Sequence, residues 1–202
     1  MNNPAKTEYE ILDVLKQRWS PRAFADKPVE KEKLRALFEA ARWSASSFNE
    51  QPWRFFVATG DDKAAYDKAL SCLVEKNQAW AKGAPVLILT VTRKNFTKND
   101  KPNRVHEHDL GLAMGNLTTQ ATALGLCLHQ MAGVDLDKVR EKYHVPDGYE
   151  PATGIALGYE GNADDLPEQW MRDAEKSPRE RKPFSEFVFG DDFGKPSSVF
   201  EA

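Results

Sequence analysis

The sequence predicts one domain of mixed helices and strands followed by an extension, and three observations carry that prediction. Its 202 residues amount to one domain at about 150 residues per domain, a length that buries a sizeable core without metal or disulfide staples. Apolar periodicity switches repeatedly between helical and extended patterns, with short polar punctuation between them. Beyond Gly161 the composition turns acidic, proline-punctuated and sparsely apolar, so the boundaries fall at 1–160 for the core and 161–202 for the extension.

Tyr9, Ile11, Leu12, Val14 and Leu15 predict an amphipathic first helix. It ends before Ser20-Pro21, because a proline disfavours helical dihedrals in the residue preceding it. A second helix starts at Glu30, with Leu34, Leu37, Phe38 and Ala41 on one face and Lys31, Glu32, Lys33, Arg35 and Glu39 on the other. Trp53 to Thr59, aromatic and β-branched and stopped by Gly60-Asp61-Asp62, is a strand. The next helix is expected to run to about Trp80, and Pro85 to Thr92 has the continuous apolar character of a strand buried on both faces. Arg93 to Arg104, with Pro102 and five Lys or Arg, reads as a solvated loop, the alternative being a basic flap that meets an anionic ligand.

Val105 to Leu126 predicts a long, weakly charged helix. Gly111, Gly115, Thr118, Thr122 and Gly125 form a stripe of small residues beside Leu110, Ala113, Met114, Leu117, Ala121 and Leu124. Such a helix must be covered on nearly all sides. Its stripe either meets a second subunit or packs within its own, and spacing alone leaves both open. Cys127 to Ala132 is a strand, Asp135 to Tyr143 a helix and Pro151 to Leu157 a strand ending at Gly158. The extension offers only scattered anchors, Trp170, Phe184, Phe187, Val188, Phe189 and Phe193. Without an amphipathic pattern it should make no core of its own and should lie on another surface.

Composition excludes several function classes. Twenty-eight Lys and Arg against 31 Asp and Glu give a net charge of −3, which provides none of the broad positive surface that nucleic acid demands. Cys72 and Cys127 show neither a CxxC pair nor a disulfide framework, so free thiols in a reducing, cytoplasmic setting are expected. The apolar runs are too short for a membrane span, and the first residues are polar. GxGxxG, GxxxxGK[ST], HExxH, GxSxG and zinc-type Cys/His spacings are all absent. His106 and His108 stand two apart on a helix and so point to different faces, which argues against a metal; His129 and His144 read as structural.

What remains is a set of polar clusters. Arg18-Trp19-Ser20-Pro21-Arg22 places two guanidinium groups and a hydroxyl around one turn, suited to a phosphate or carboxylate. Arg179-Glu180-Arg181-Lys182-Pro183 is a second basic knot in an acidic extension. Each knot alone is ordinary surface charge, whereas together they could hold one phosphate. Ser44 to Trp53 sets Ser46, Ser47, Phe48, Asn49 and Gln51 between a helix and a strand. Its amides either read the edge of a uracil-like heterocycle or close local turns, and residue types do not choose. Ala132-Gly133 offers backbone N–H groups to a flat ligand, or is a plain turn.

Taken in order, Arg18-x-Ser20-x-Arg22-x-Phe24, then Ser46-Ser47-Phe48-Asn49-x-Gln51-Pro52-Trp53-x-Phe55, then Leu124-Gly125-Leu126, then Leu157-Gly158-Tyr159 with Arg179-x-Arg181-x-Pro183 resemble the nitroreductase family of FMN-dependent oxidoreductases. The resemblance spans nearly the whole chain. It implies an α+β fold with a central mixed sheet flanked by helices. It also implies an intertwined homodimer with FMN at the interface and an extension that wraps the partner.

By the same resemblance Arg18, Trp19, Ser20 and Arg22 contact the phosphate and ribityl chain, and Arg179 and Arg181 complete the phosphate site. Ser46, Ser47 and Phe48 line the isoalloxazine from the other subunit, with Asn49 and Gln51 beside the ring. Ala132 and Gly133 present their backbone near flavin N5. NAD(P)H is the implied co-substrate and a nitroaromatic, quinone or related small molecule the implied acceptor, in a ping-pong cycle. No side chain need act as acid or base, because the chemistry sits at N5. Ala45 and Ala132 depart from residues frequent in the family, which leaves a second expectation of a flavin carrier or redox sensor without nicotinamide turnover.

Overall fold

A computed structural model describes residues 3–200, and the chain runs α1 (Asp13–Gln17), α2 (Lys31–Arg42), β1 (Trp53–Thr59), α3 (Lys63–Leu70), α4 (Glu75–Ala81), β2 (Val86–Arg93), α5 (His106–Ala123), β3 (Cys127–Met131), α6 (Leu136–Lys142), β4 (Tyr149–Gly158) and α7 (Gln169–Lys176). The strands form one sheet in the order β1-β2-β4-β3. All three neighbouring pairs are antiparallel, with Phe55 opposite Thr90, Ile88 opposite Ile155 and His129 opposite Ala156.

Within the described residues this corrects the expectation of a mixed sheet. Helical connections between strands commonly join parallel pairs, but here α3 and α4 make an out-and-back excursion. Gly60 N–H donates to the Pro85 carbonyl at 3.0 Å, so the chain re-enters the sheet at the end it left.

Two apolar layers sandwich the sheet. Leu37 and Ala41 of α2 with Leu110, Ala113, Leu117 and Ala121 of α5 pack on Val86, Ile88, Leu128, Ile155 and Leu157. Trp80 of α4, Val139 of α6 and Met171 of α7 pack on Leu87, Leu89, Val91 and Ala156. Burying each large aliphatic side chain contributes about 1.5–3 kcal/mol, and β2, closed from both sides, is the most apolar strand for that reason. Side chains cap two of the helices, Asp62 accepting from Ala65 N–H and Asp135 from Lys138 N–H, each at 3.0 Å.

Several expectations shift. α1 is only five residues long and buries none of them. Tyr9 falls outside that helix and meets Phe184 of the extension edge-on at 5.5 Å. The helix expected to run to Trp80 breaks at Ser71–Val74, where Leu73 bridges Val134, Asp135 N–H reaches the Cys72 carbonyl at 2.8 Å and Val74 N–H reaches the Gly133 carbonyl at 3.1 Å. Tertiary pairing outweighs helix continuity there.

The extension is also more ordered than its composition suggested. α7 buries Met171 and Glu175 four residues apart, and a charged residue on the inward face had hidden the amphipathic period. Farther on, Phe184 stacks on Phe200 at 4.4 Å. These described contacts are made with the chain's own core and N-terminal segment. No helix among the described residues is long and apolar enough to cross a membrane.

Candidate active site

The two basic knots, about 160 residues apart in sequence, converge. Pro21 ends the stretch after α1 and turns the chain, so that Arg18 Nη1 donates to Ser20 Oγ at 3.0 Å. Burial, followed by the positive charges of Arg179 and Arg181, lowers the Arg18 pKa from its usual value. Arg179 is lowered in the same way by burial and Arg181. Its guanidinium is aimed by two carbonyls, Asn3 at 2.9 Å and Lys16 at 3.1 Å. Among the described residues no carboxylate pairs with Arg18, Arg179 or Arg181. Arg18 and Arg179, with the charge of exposed Arg181 acting on both, present guanidinium donors of the kind that suit an anion. Trp19 and Ser20 are half-buried beside them.

Arg22 differs from the other three. Its backbone N–H donates to Glu175 Oε1 at 3.0 Å and its Nη1 lies 3.6 Å from the same oxygen. Its guanidinium sits 5.5 Å from the Trp170 ring and 6.0 Å from Trp80. The sequence reading missed Glu175, an acidic residue in an acidic segment with nothing to mark it as buried. Its carboxyl pKa is pushed up, chiefly by burial.

The Ser44–Trp53 loop lies on the α5 side of the sheet, and no hydrogen bond or ion pair among the described residues joins it to the arginines. Phe48, Asn49 and Gln51 all adopt positive φ, at 53°, 55° and 51°, a conformation costing about 1–3 kcal/mol per residue for side chains that do not favour it. Its surroundings hold it: Ser47 N–H donates to Asp109 Oδ2 at 3.0 Å and Gln51 N–H to Ser46 Oγ at 3.0 Å. The Thr97 backbone and hydroxyl both reach Glu50 Oε1. Asp109, buried on α5, is a second residue the sequence reading did not single out. Phe48 is 92% exposed and meets Phe96 of the 93–104 loop edge-on at 5.7 Å. Strain combined with an exposed aromatic ring marks a loop shaped for a ligand or partner.

Ala132 and Gly133 follow the end of β3, with Ala132 exposed. The Gly133 carbonyl accepts from Val74 N–H and from Asn77 Nδ2, each at 3.1 Å. A Cβ there would lie 2.5 Å from Asn77 Nδ2 and 2.8 Å from Val74 Cγ2, so glycine is needed for the close approach of α4. Asn77, with its amide against this turn, was also not foreseen, since nothing local distinguishes it from a helix-surface asparagine.

His129 has a structural place, its Nδ1 donating to the Pro21 carbonyl at 3.1 Å and its ring 4.6 Å from Trp80. Burial, then the charge of Arg22, pushes its pKa down to about 4. On α5, Gly111 and Gly115 are exposed, and a Cβ at either would meet nothing within 4 Å, so this part of the small stripe is not used inside the chain. A concavity of about 960 Å³ between α2 and α3, lined by Lys27, Leu34 and Tyr66 among others, touches none of these clusters.

Comparison with known proteins agrees with the ordered motifs. A profile of the nitroreductase family matches residues 15–159. A solved structure described as an oxidoreductase containing FMN superposes with a TM-score of 0.86 at 35% identity, covering 93% of this chain and 95% of that one. A chain from Desulfovibrio desulfuricans, solved in complex with FMN, gives a TM-score of 0.69 at 25% identity and covers 93% and 99%. The major NAD(P)H-flavin oxidoreductase of Aliivibrio fischeri is 24% identical over 220 residues, 89% of this chain and 98% of that protein. With the fold, the ordered motifs and a family match over most of its length in agreement, the chain belongs to the nitroreductase family of oxidoreductases.

Proposed function

We propose that this protein is an FMN-dependent oxidoreductase that takes hydride from NAD(P)H and passes it to nitroaromatic, quinone or related small acceptors. The observation that carries the reading is the convergence of Arg18, Arg179 and Arg181, without a carboxylate partner among the described residues, beside the Ser20 hydroxyl. A dianionic phosphate fits that donor set, and the FMN-bound relative from D. desulfuricans and the NAD(P)H-flavin oxidoreductase of A. fischeri support the choice of ligand.

FMN, when bound, supplies the two-electron redox chemistry. The chain's own residues bind and orient it: the arginines and Ser20 hold the phosphate, with Trp19 alongside. The Ala132–Gly133 backbone approaches the flat ring system from the end of β3. The strained loop of Ser46, Ser47, Phe48, Asn49 and Gln51 is tied to α5 through Asp109, with no hydrogen bond to the arginines of its own chain among the described residues, which supports its serving the site of a second copy. The open Gly111 and Gly115 face of α5 and the exposed Leu112 support a homodimer built around that helix. Donor and acceptor then use one open slot in turn, a ping-pong arrangement that demands no acid or base from the protein. Free Cys72 and Cys127 fit a cytoplasmic setting.

The test is an anaerobic titration of the FMN-loaded protein with NADH and with NADPH, followed by a nitroaromatic or a quinone. Bleaching of the visible flavin band and its return on adding acceptor is the expected result. A bound flavin that neither nucleotide bleaches would refute the reductase reading in favour of a flavin carrier.

A further inference from the structure

Resting on the FMN reading, a second feature of the site concerns how it is assembled. Arg179 and Arg181 belong to the extension, and their charges and that of Arg18 repel one another. That repulsion opposes docking of the extension, and it is offset by the bonds of Arg179 to the Asn3 and Lys16 carbonyls and by a contact farther back in the extension. That second contact is made by Glu175 at the end of α7, four residues before Arg179. Glu175, 2% exposed, accepts the Arg22 backbone N–H at 3.0 Å and faces the Arg22 guanidinium at 3.6 Å. Trp170 of the same helix covers that guanidinium from 5.5 Å, and Met171, on the Glu175 face, is fully buried. The extension also starts beside this turn: Gly161 N–H donates to the Ala23 carbonyl at 2.9 Å. A Cβ at Gly161 would lie 2.5 Å from the Phe24 carbonyl carbon.

We propose that Glu175 and Arg22 form a clamp that docks α7 on the Arg18–Arg22 turn and thereby delivers Arg179 and Arg181 to Arg18, with Arg22 a positioning residue and not itself a phosphate ligand. To reach a phosphate, the Arg22 guanidinium would have to leave the buried Glu175 carboxylate with backbone N–H partners alone and its cation withdrawn, which is unfavourable. The buried pair compensates for the mutual repulsion of the three free guanidinium groups, so the phosphate site stays formed before its ligand arrives.

Full-length wild type, Arg22→Met, Glu175→Met and the double variant are compared for affinity to FMN and to riboflavin, which lacks the phosphate. Tail docking is read independently by trypsin cleavage after Lys176 and Arg181. Each single variant should weaken FMN about tenfold, as the docked fraction falls to about a tenth, and leave riboflavin within about twofold. Each should also speed cleavage. The double variant should return FMN to within about threefold of wild type, because neither buried charge is left alone.

A double variant as weak as Arg22→Met would make Arg22 a direct ligand and overturn the clamp. Equal loss of FMN and riboflavin in the single variants would overturn it as a general loosening of the fold. If wild type binds neither flavin, the FMN reading fails by itself. The docking half of the proposal is then judged by cleavage alone, and unchanged cleavage in both single variants would overturn that as well.

Discussion

Acidification should destabilise this protein through His129 before carboxylates of ordinary pKa are protonated. The side chain sits on β3 with Nδ1 on the Pro21 carbonyl and its ring against Trp80, and its pKa in the folded state is pushed down to about 4 by burial and the charge of Arg22. An unfolded histidine titrates near 6.5. The unfolded chain therefore takes up the proton first. The stabilising contribution of neutral His129 is complete above about pH 7 and is lost progressively as pH falls towards 4. Between about pH 7 and pH 5 that linkage amounts to about 2 kcal/mol. Glu175, whose carboxyl pKa is raised, acts in the opposite direction, so the comparison must be made against a variant that retains it. Urea unfolding of wild type and His129→Gln at both pH values isolates the effect, since glutamine keeps a donor for Pro21. Wild type should lose about 2 kcal/mol more than the variant; equal losses would refute the assignment of a buried neutral imidazole.

Three further outcomes follow from packing and strain. Gly133→Ala must push against Asn77 and Val74, which should cost about 1–3 kcal/mol of stability in a denaturant melt. Asp109→Ala removes the buried acceptor of Ser47 N–H. It should cost about 1.5–3 kcal/mol and open the strained loop to proteolysis, and Asp109→Asn should recover part of the loss. Replacing both Gly111 and Gly115 by leucine starts from exposed positions where an added Cβ meets nothing within 4 Å and raises helix propensity by about 0.5–1 kcal/mol at each position. Light scattering should nevertheless show a dimeric wild type and a folded monomeric variant; a variant that stays dimeric would place the interface elsewhere.

Elements specified by local pattern were legible from the sequence. β1 occupies Trp53–Thr59 as its aromatic and β-branched residues and its Gly-Asp-Asp stop require, and α5 and β4 fall within a few residues of their expected bounds. What failed depended on distant partners. The break between α3 and α4 is made by pairing with residues 133–135, and the antiparallel return of β2 by a contact between Gly60 and Pro85. α7 was hidden because its inward face carries a carboxylate that only Arg22 makes tolerable. The site divides in the same way. Arginines in tight turns stand out by type, whereas Glu175, Asp109 and Asn77 acquire their roles from neighbours 50 or more residues away.

The convergence of Arg18, Arg179 and Arg181 on one phosphate is tested most directly by the affinities of wild type and Arg18→Ala for FMN and for riboflavin, measured by quenching of flavin fluorescence. Wild type should bind FMN at least about tenfold more tightly than riboflavin, the worth of one charge-assisted hydrogen bond or more, and Arg18→Ala should erase most of that difference. Equal affinity of wild type for the two flavins would contradict the account.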